Sequence, residues 1–275
     1  MRLSFAKNPS PMVVGVVRRR TVREAIAEIK NCTLHGADAI DLHISCLEKE
    51  FQNKKSIAEI VTASRLPILA LHYDQDYEMN PLGSAEEERV ALLLEAVEAG
   101  CSGIDMQGYT FDLYSKKNFR EGFGAYSFTK DCPREIVLDP AVIQKQKELI
   151  GKVHAMGGEV LLSVHPMIPM DCGQVVELAK FLEQRGPDII KIICRADTEE
   201  QLAESFATMI RLKKEIKTPI HYHCAGEVGK PSRIINPLLG GYLCFCNDGY
   251  HAGSNLEQPD LQIVRAIIDG YKRSR

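Results

Sequence analysis

Lys191 interrupts the run Asp188-Ile189-Ile190-Lys191-Ile192-Ile193-Cys194, in which almost every neighbour is apolar. An ammonium enclosed by aliphatic side chains is desolvated. That favours the neutral amine, a nucleophile toward ketones and aldehydes whose product is a Schiff base able to act as an electron sink. A lysine so placed could equally pair with a buried carboxylate or run its stem out to solvent. His165 closes the run Val160-Leu161-Leu162-Ser163-Val164-His165 one predicted strand earlier. An imidazole with an ordinary pKa near ~6.5 suits proton abstraction and later proton donation to a leaving hydroxyl. Alone it could be a satisfied hydrogen-bonding residue; next to a nucleophilic lysine the acid–base role is the stronger reading. Further polar groups end other apolar runs: Asp41-Leu42-His43, His72-Tyr73 and His221-Tyr222-His223. Imidazoles and carboxylates at such positions are also what a zinc or manganese hydrolase or isomerase would use. Their spacing matches no metal motif, and neither a metal nor another cofactor is expected.

These side chains can converge only if neighbouring strands carry them. Eight β-rich runs qualify: Met12 to Val17, Ala39 to Ile44, Pro67 to Tyr73, Gly103 to Gly108, Glu159 to His165, Asp188 to Cys194, Pro219 to Ala225 and Gly241 to Asn247. Stretches of helical periodicity separate them, at Thr21 to Leu34, Ser56 to Ala63, Ser84 to Ala99, Pro140 to Met156, Asp171 to Arg185, Thr198 to Ile216, Pro231 to Leu239 and Pro259 to Tyr271. Thr21, Ser84, Asp171 and Thr198 are N-cap candidates, and Thr198 with Gln201 has capping-box spacing. Gly36, Gly100, Gly157 and Gly186 stand where a left-handed residue would end a helix. Eight βα units in 275 residues predict an α/β fold, a single-domain (β/α)8 TIM barrel over residues 1–275. Residues 109–138, rich in aromatics and glycine, read as an insertion after the fourth strand and a candidate lid.

The composition narrows the partners. With 34 Lys+Arg against 37 Asp+Glu, there is no broad basic surface for a phosphate backbone, so nucleic acid is not expected. No apolar run approaches ~18 residues and the first residues lack a signal-peptide core, so a cytoplasmic protein without membrane contact is expected. Cys194, Cys224, Cys244 and Cys246 lie in strand-like runs and read as reduced core thiols. Arg18-Arg19-Arg20 reads first as a basic loop and second as an anion contact at the barrel mouth.

Taken together, Gly186-Pro187-Asp188-Ile189-Ile190-Lys191-Ile192, Ser163-Val164-His165, Gly229-Lys230-Pro231-Ser232-Arg233 and Gln258 resemble segments of the type I 3-dehydroquinate dehydratase family. The resemblance covers nearly the whole chain. It implies a (β/α)8 lyase, Lys191 as the imine-forming lysine, His165 as general acid and base, Arg233 as the carboxylate contact beside Ser232, and Gln258 in a lid after the eighth strand. It further implies a small carboxylated hydroxy ketone as substrate, a place in the shikimate pathway of aromatic amino acid biosynthesis, and a homodimer.

Departures fall on the positions expected to bind substrate. Asp41-Leu42-His43 stands where the family has Glu-x-Arg, and Tyr73 where it has Arg. A bidentate guanidinium is not replaced by imidazole or phenol without changing what is recognised. Asp41, His43, His72, Tyr73, His223, Ser232, Arg233 and Gln258 are therefore the substrate-binding candidates. Asp74, Asp76 and Glu78 are the candidates for the carboxylate beside His165. The expected reaction is β-elimination of water through a Schiff base, with 3-dehydroquinate as default substrate. The alternatives are a class I aldolase acting on a phosphorylated or carboxylated sugar, the metal-dependent barrel, and a catalytically silent binding protein.

Overall fold

The computed structural model describes residues 3–73, 85–116, 126–130 and 134–274. Strands and helices alternate along the chain: β1 (Met12–Val17), α1 (Val22–Leu34), β2 (Ala39–His43), α2 (Lys54–Thr62), β3 (Ile68–Leu71), α3 (Glu86–Glu98), β4 (Gly103–Gln107), α4 (Pro140–Ala155), β5 (Glu159–Val164), α5 (Cys172–Glu183), β6 (Ile189–Arg195), α6 (Glu199–Glu215), β7 (Ile220–Ala225), α7 (Ser232–Leu239), β8 (Leu243–Cys246) and α8 (Leu261–Arg273). The strands form one sheet in the order β8-β1-β2-β3-β4-β5-β6-β7. This is the element series of a (β/α)8 barrel. Strands buried on both faces read as near-continuous apolar runs, which is why the pattern was visible in the sequence.

Two compact units share the chain. The first comprises Met1–Asp105, Val153–Glu159 and Cys244–Arg275; the second comprises Met106–Lys152 and Val160–Leu243. In the first, β1, β2 and β3 pair in parallel, with Asp41 level with Leu69 and His43 level with Leu71. In the second, β5, β6 and β7 pair in parallel, with Ser163, Lys191 and His221 level across the three strands and Ile193 level with His223. Parallel in-register strands turn level residues to the same face, and residues two apart also share it.

Helix ends follow local chemistry. Thr21, Asp171 and Thr198 each accept from the N3 amide while the N3 Glu24, Gln174 or Gln201 returns the bond. Each such box stabilises its helix by about 1 kcal/mol. Ser84 lies outside the described residues, and α3 starts at Glu86 with Ala85 as an N-cap that offers no side-chain bond. The four glycines expected to end helices all have positive φ, from 73° at Gly157 to 108° at Gly100. Cys194, Cys224, Cys244 and Cys246 are buried thiols that form no disulfide among the described residues. Burial pushes the thiol pKa of Cys194, Cys224 and Cys246 up.

Candidate active site

The second unit gathers the candidate catalytic groups on one strand face. Lys191 is central, buried, and level with Ser163 on one side and His221 on the other. Its chain neighbours Ile190 and Ile192 take the opposite face by strand alternation and are fully buried. His223 sits two residues beyond His221, and His165 directly follows β5.

His165 is held by a residue the sequence reading missed. Glu135 Oε2 accepts from the His165 backbone N–H at 2.9 Å and lies 2.7 Å from its Nδ1. A carboxylate can only accept there, so Nδ1 carries a proton and, in the neutral ring, Nε2 is the nitrogen able to take one up. Asp74, Asp76 and Glu78, the expected partners, lie outside the described residues; the carboxylate found on His165 comes from the segment after β4 instead.

Glu135 keeps this place at the cost of backbone strain. Its φ is 65°, the left-handed region, which costs a non-glycine residue about 1 kcal/mol or more. Its N–H donates to Ser115 O at 2.6 Å, and its carbonyl lies so close to Gly108 that any Cβ there would stand 2.3 Å from the oxygen. Buried Arg185 braces the same stretch, donating to Val137 O at 2.8 Å and to Gln146 Oε1 at 2.6 Å. Gln146 in turn donates to Gly108 O and Thr110 O. Burial lowers the Arg185 pKa to about 10, so the guanidinium stays charged at neutral pH. No local motif flags Glu135; only the glycine directly after β4, Gly108, hints at a close approach.

The two β7 histidines form a fixed chain. His221 Nδ1 lies 2.8 Å from the Leu243 carbonyl, which can only accept, so Nδ1 bears the proton. Burial and then the nearby Lys191 charge push the His221 pKa down to about 3, so the ring is neutral and Nε2 is bare. That Nε2 lies 2.7 Å from His223 Nδ1, which must therefore donate. Burial and then the Arg233 charge push His223 well below the ordinary histidine range, so it too is neutral. The imidazoles are thus joined to each other rather than spread to hold one ion, and the described residues contain no cluster of three or more potential metal ligands.

Arg233 is buried in the first turn of α7. Its neighbour Ser232, expected to meet substrate, is fully buried and turned to the backbone: its hydroxyl accepts from Cys224 N–H at 2.9 Å and donates to Gly229 O at 2.6 Å. The hydroxyl thereby ties α7 to the end of β7. Gly229 permits that turn, because a Cβ would lie 2.4 Å from Ala225 O and 2.6 Å from Cys224 O.

The first unit holds a polar group of its own. Arg18 Nε donates to His43 Nδ1 at 3.2 Å, leaving His43 Nε2–H facing Asp41 Oδ2 at 3.3 Å. Arg18 also donates to Gly253 O at 2.9 Å. A guanidinium thus does stand beside His43, contributed by the residue after β1, and the Tyr73 ring meets His43 edge-on at 5.8 Å. Arg19 and Arg20 pair with Glu28 and Glu48. His72 does not join this group. Strand alternation sets it opposite Leu71 and His43, its Nδ1 lies 2.8 Å from Tyr73 O, and buried Arg89 donates to its carbonyl. Gln258 stands between β8 and α8, where Tyr250 donates to its carbonyl at 2.8 Å.

Comparison with known proteins points one way. A family model described as Type I 3-dehydroquinase matches residues 14–121 and 135–270. A 3-dehydroquinate dehydratase of Desulfotalea psychrophila is 25% identical over 170 residues, 62% of this chain and 62% of that protein. The chloroplastic bifunctional 3-dehydroquinate dehydratase/shikimate dehydrogenase of Arabidopsis thaliana is 25% identical over 98% of this chain and 38% of its own length. The chain thus spans less than two thirds of the curated relatives it matches. The crystal structure of a Geobacillus kaustophilus 3-dehydroquinate dehydratase superposes with a TM-score of 0.76 at 12% identity, covering 99% of this chain and 97% of that one. At that identity the likeness speaks for the fold.

Proposed function

Since the chain belongs to the type I 3-dehydroquinase family, we propose that it is a lyase that removes water from 3-dehydroquinate through a Schiff base on Lys191. The observation that carries this reading is the sharing of one strand face by buried Lys191 and His165, with the His165 tautomer held by Glu135.

The Lys191 amine adds to the ketone carbon and water leaves, giving an iminium whose positive nitrogen acidifies the neighbouring C–H. His165 Nε2 takes that proton, and the electron pair is stored as an enamine. The enamine then expels the β-hydroxyl, which departs as water with the proton His165 returns. Hydrolysis of the conjugated iminium consumes the water released at the start and frees the unsaturated ketone and Lys191. The balance is one substrate to one enone and one water. Arg233, a charged guanidinium beside this face, holds the carboxylate.

Borohydride added during turnover of 3-dehydroquinate should reduce the iminium and leave a mass increase confined to the peptide carrying Lys191. Lys191→Met should abolish both adduct and turnover. Turnover that survives in Lys191→Met would overturn the mechanism. Trapping with a phosphorylated sugar, but not with 3-dehydroquinate, would favour the aldolase reading.

A further inference from the structure

The chain Leu243 carbonyl, His221, His223 has a direction, and it ends on a bare lone pair. His221 donates through Nδ1 and accepts through Nε2; His223 donates through Nδ1 to that nitrogen. In neutral His223 the remaining Nε2 can only accept, and it is buried without a hydrogen-bond partner among the described residues. His223 is 2% exposed. A buried acceptor left unmatched is costly unless something donates to it when the site is filled. His223 stands two residues beyond His221, which is level with Lys191, so its ring belongs to the same strand face as the imine-forming amine.

We propose that His223 Nε2 is the seat of a substrate hydroxyl, making His223 a specificity-determining residue that reads a hydrogen-bond donor beside the carboxylate held by Arg233. The proposal rests on the Schiff-base dehydratase reading above and adds the polarity of the contact. A carboxylate or carbonyl oxygen cannot sit here, since two acceptors would face each other. His223 is therefore no substitute for an arginine, which would only donate. Nor is the seated hydroxyl the one that leaves: a leaving hydroxyl must be given a proton, and a bare lone pair has none to give. His221 acts through His223, fixing its tautomer, and is a positioning residue.

The test has two arms. In the first, 15N-labelled histidine spectra of the wild-type protein should show two neutral imidazoles with protonated Nδ1 and bare Nε2, unchanged from pH 8 to pH 5. A His223 that is protonated, or carries its proton on Nε2, overturns the proposal without reference to any substrate. In the second, kcat/KM is measured for 3-dehydroquinate and for analogues that each lack one retained hydroxyl. Wild type should lose about 10- to 100-fold on one analogue. His223→Leu should lose a similar factor on the parent and nothing further on that analogue, while His223→Gln, which places an amide oxygen near the old Nε2, should recover part of the discrimination. Equal further losses on every analogue in His223→Leu overturn the proposal alone. Absence of 3-dehydroquinate turnover in wild type overturns the functional reading and this hydroxyl with it.

Discussion

Glu135→Gln is the sharpest test of how the second unit prepares His165. Glu135 Oε2 meets both the backbone N–H and Nδ1 of His165, at 2.9 and 2.7 Å. Glutamine preserves the size of the side chain and the strained φ of 65°, so folding should be nearly unaffected. What changes is charge. Hydrogen bonds to an ionised partner stabilise by about 1.5–3 kcal/mol and neutral ones by about 0.5–1.5, so an imidazolium formed at His165 loses about 1–2 kcal/mol of support. At about 1.4 kcal/mol per factor of ten, kcat should fall about 5- to 30-fold. The KM for 3-dehydroquinate should stay within about twofold, because the carboxylate touches His165 and not the substrate. Steady-state kinetics beside thermal unfolding separates the two effects. Unchanged kcat, or a fall matched by an equal rise in KM with a lowered Tm, would refute the argument. Glu135→Gly relieves the positive φ but removes the acceptor, and should lose at least as much kcat.

Two further outcomes follow from the same geometry. His221 is pushed down to about 3 and His223 well below its ordinary value, both by burial first. Below about pH 6.5 the unfolded chain takes up protons that these native imidazoles refuse, so stability falls with pH by about 1.4 kcal/mol per pH unit per imidazole, down toward pH 3 for His221. Urea midpoints at pH 7, 6 and 5 should decline more steeply for wild type than for His221→Gln/His223→Gln, and parallel slopes would contradict the neutral pair. Gly229→Ala places a Cβ 2.4 Å from Ala225 O and 2.6 Å from Cys224 O, both backbone atoms that cannot swing aside. It should cost about 1–3 kcal/mol in urea unfolding and lower kcat/KM by displacing Arg233; an unperturbed variant would show that the β7–α7 turn is looser than drawn.

Much of the architecture is legible in the chain itself. Buried parallel strands must be apolar along their length, and helices between them must be capped, so Met12–Val17 and the boxes at Thr21, Asp171 and Thr198 are local statements. Lys191 and His165 were legible for the related reason that a polar residue in such a run is conspicuous. The first strand matches at both ends and the sixth runs one residue further than expected, to Arg195, but most others are shorter than expected by one to three residues, as at Gly241 to Asn247 against Leu243–Cys246, because β-rich composition continues past the last ladder bond.

What the chain alone could not declare is direction and partnership. Asp41-Leu42-His43 displayed a lost arginine, but that Arg18 reaches His43 depends on how β1 and β2 pair. The His221-Tyr222-His223 spelling is equally compatible with a metal ligand pair, an arginine substitute or a hydrogen-bonded relay. The Leu243 carbonyl, 22 residues away, sets the donor and acceptor order. Glu135 carries no motif of its own, since its role arises from a contact with His165 at the end of β5, 30 residues further along the chain. Periodicity and capping are written within a few residues of one another, whereas tautomers and carboxylate partners are set by atoms that meet only after the strands have aligned.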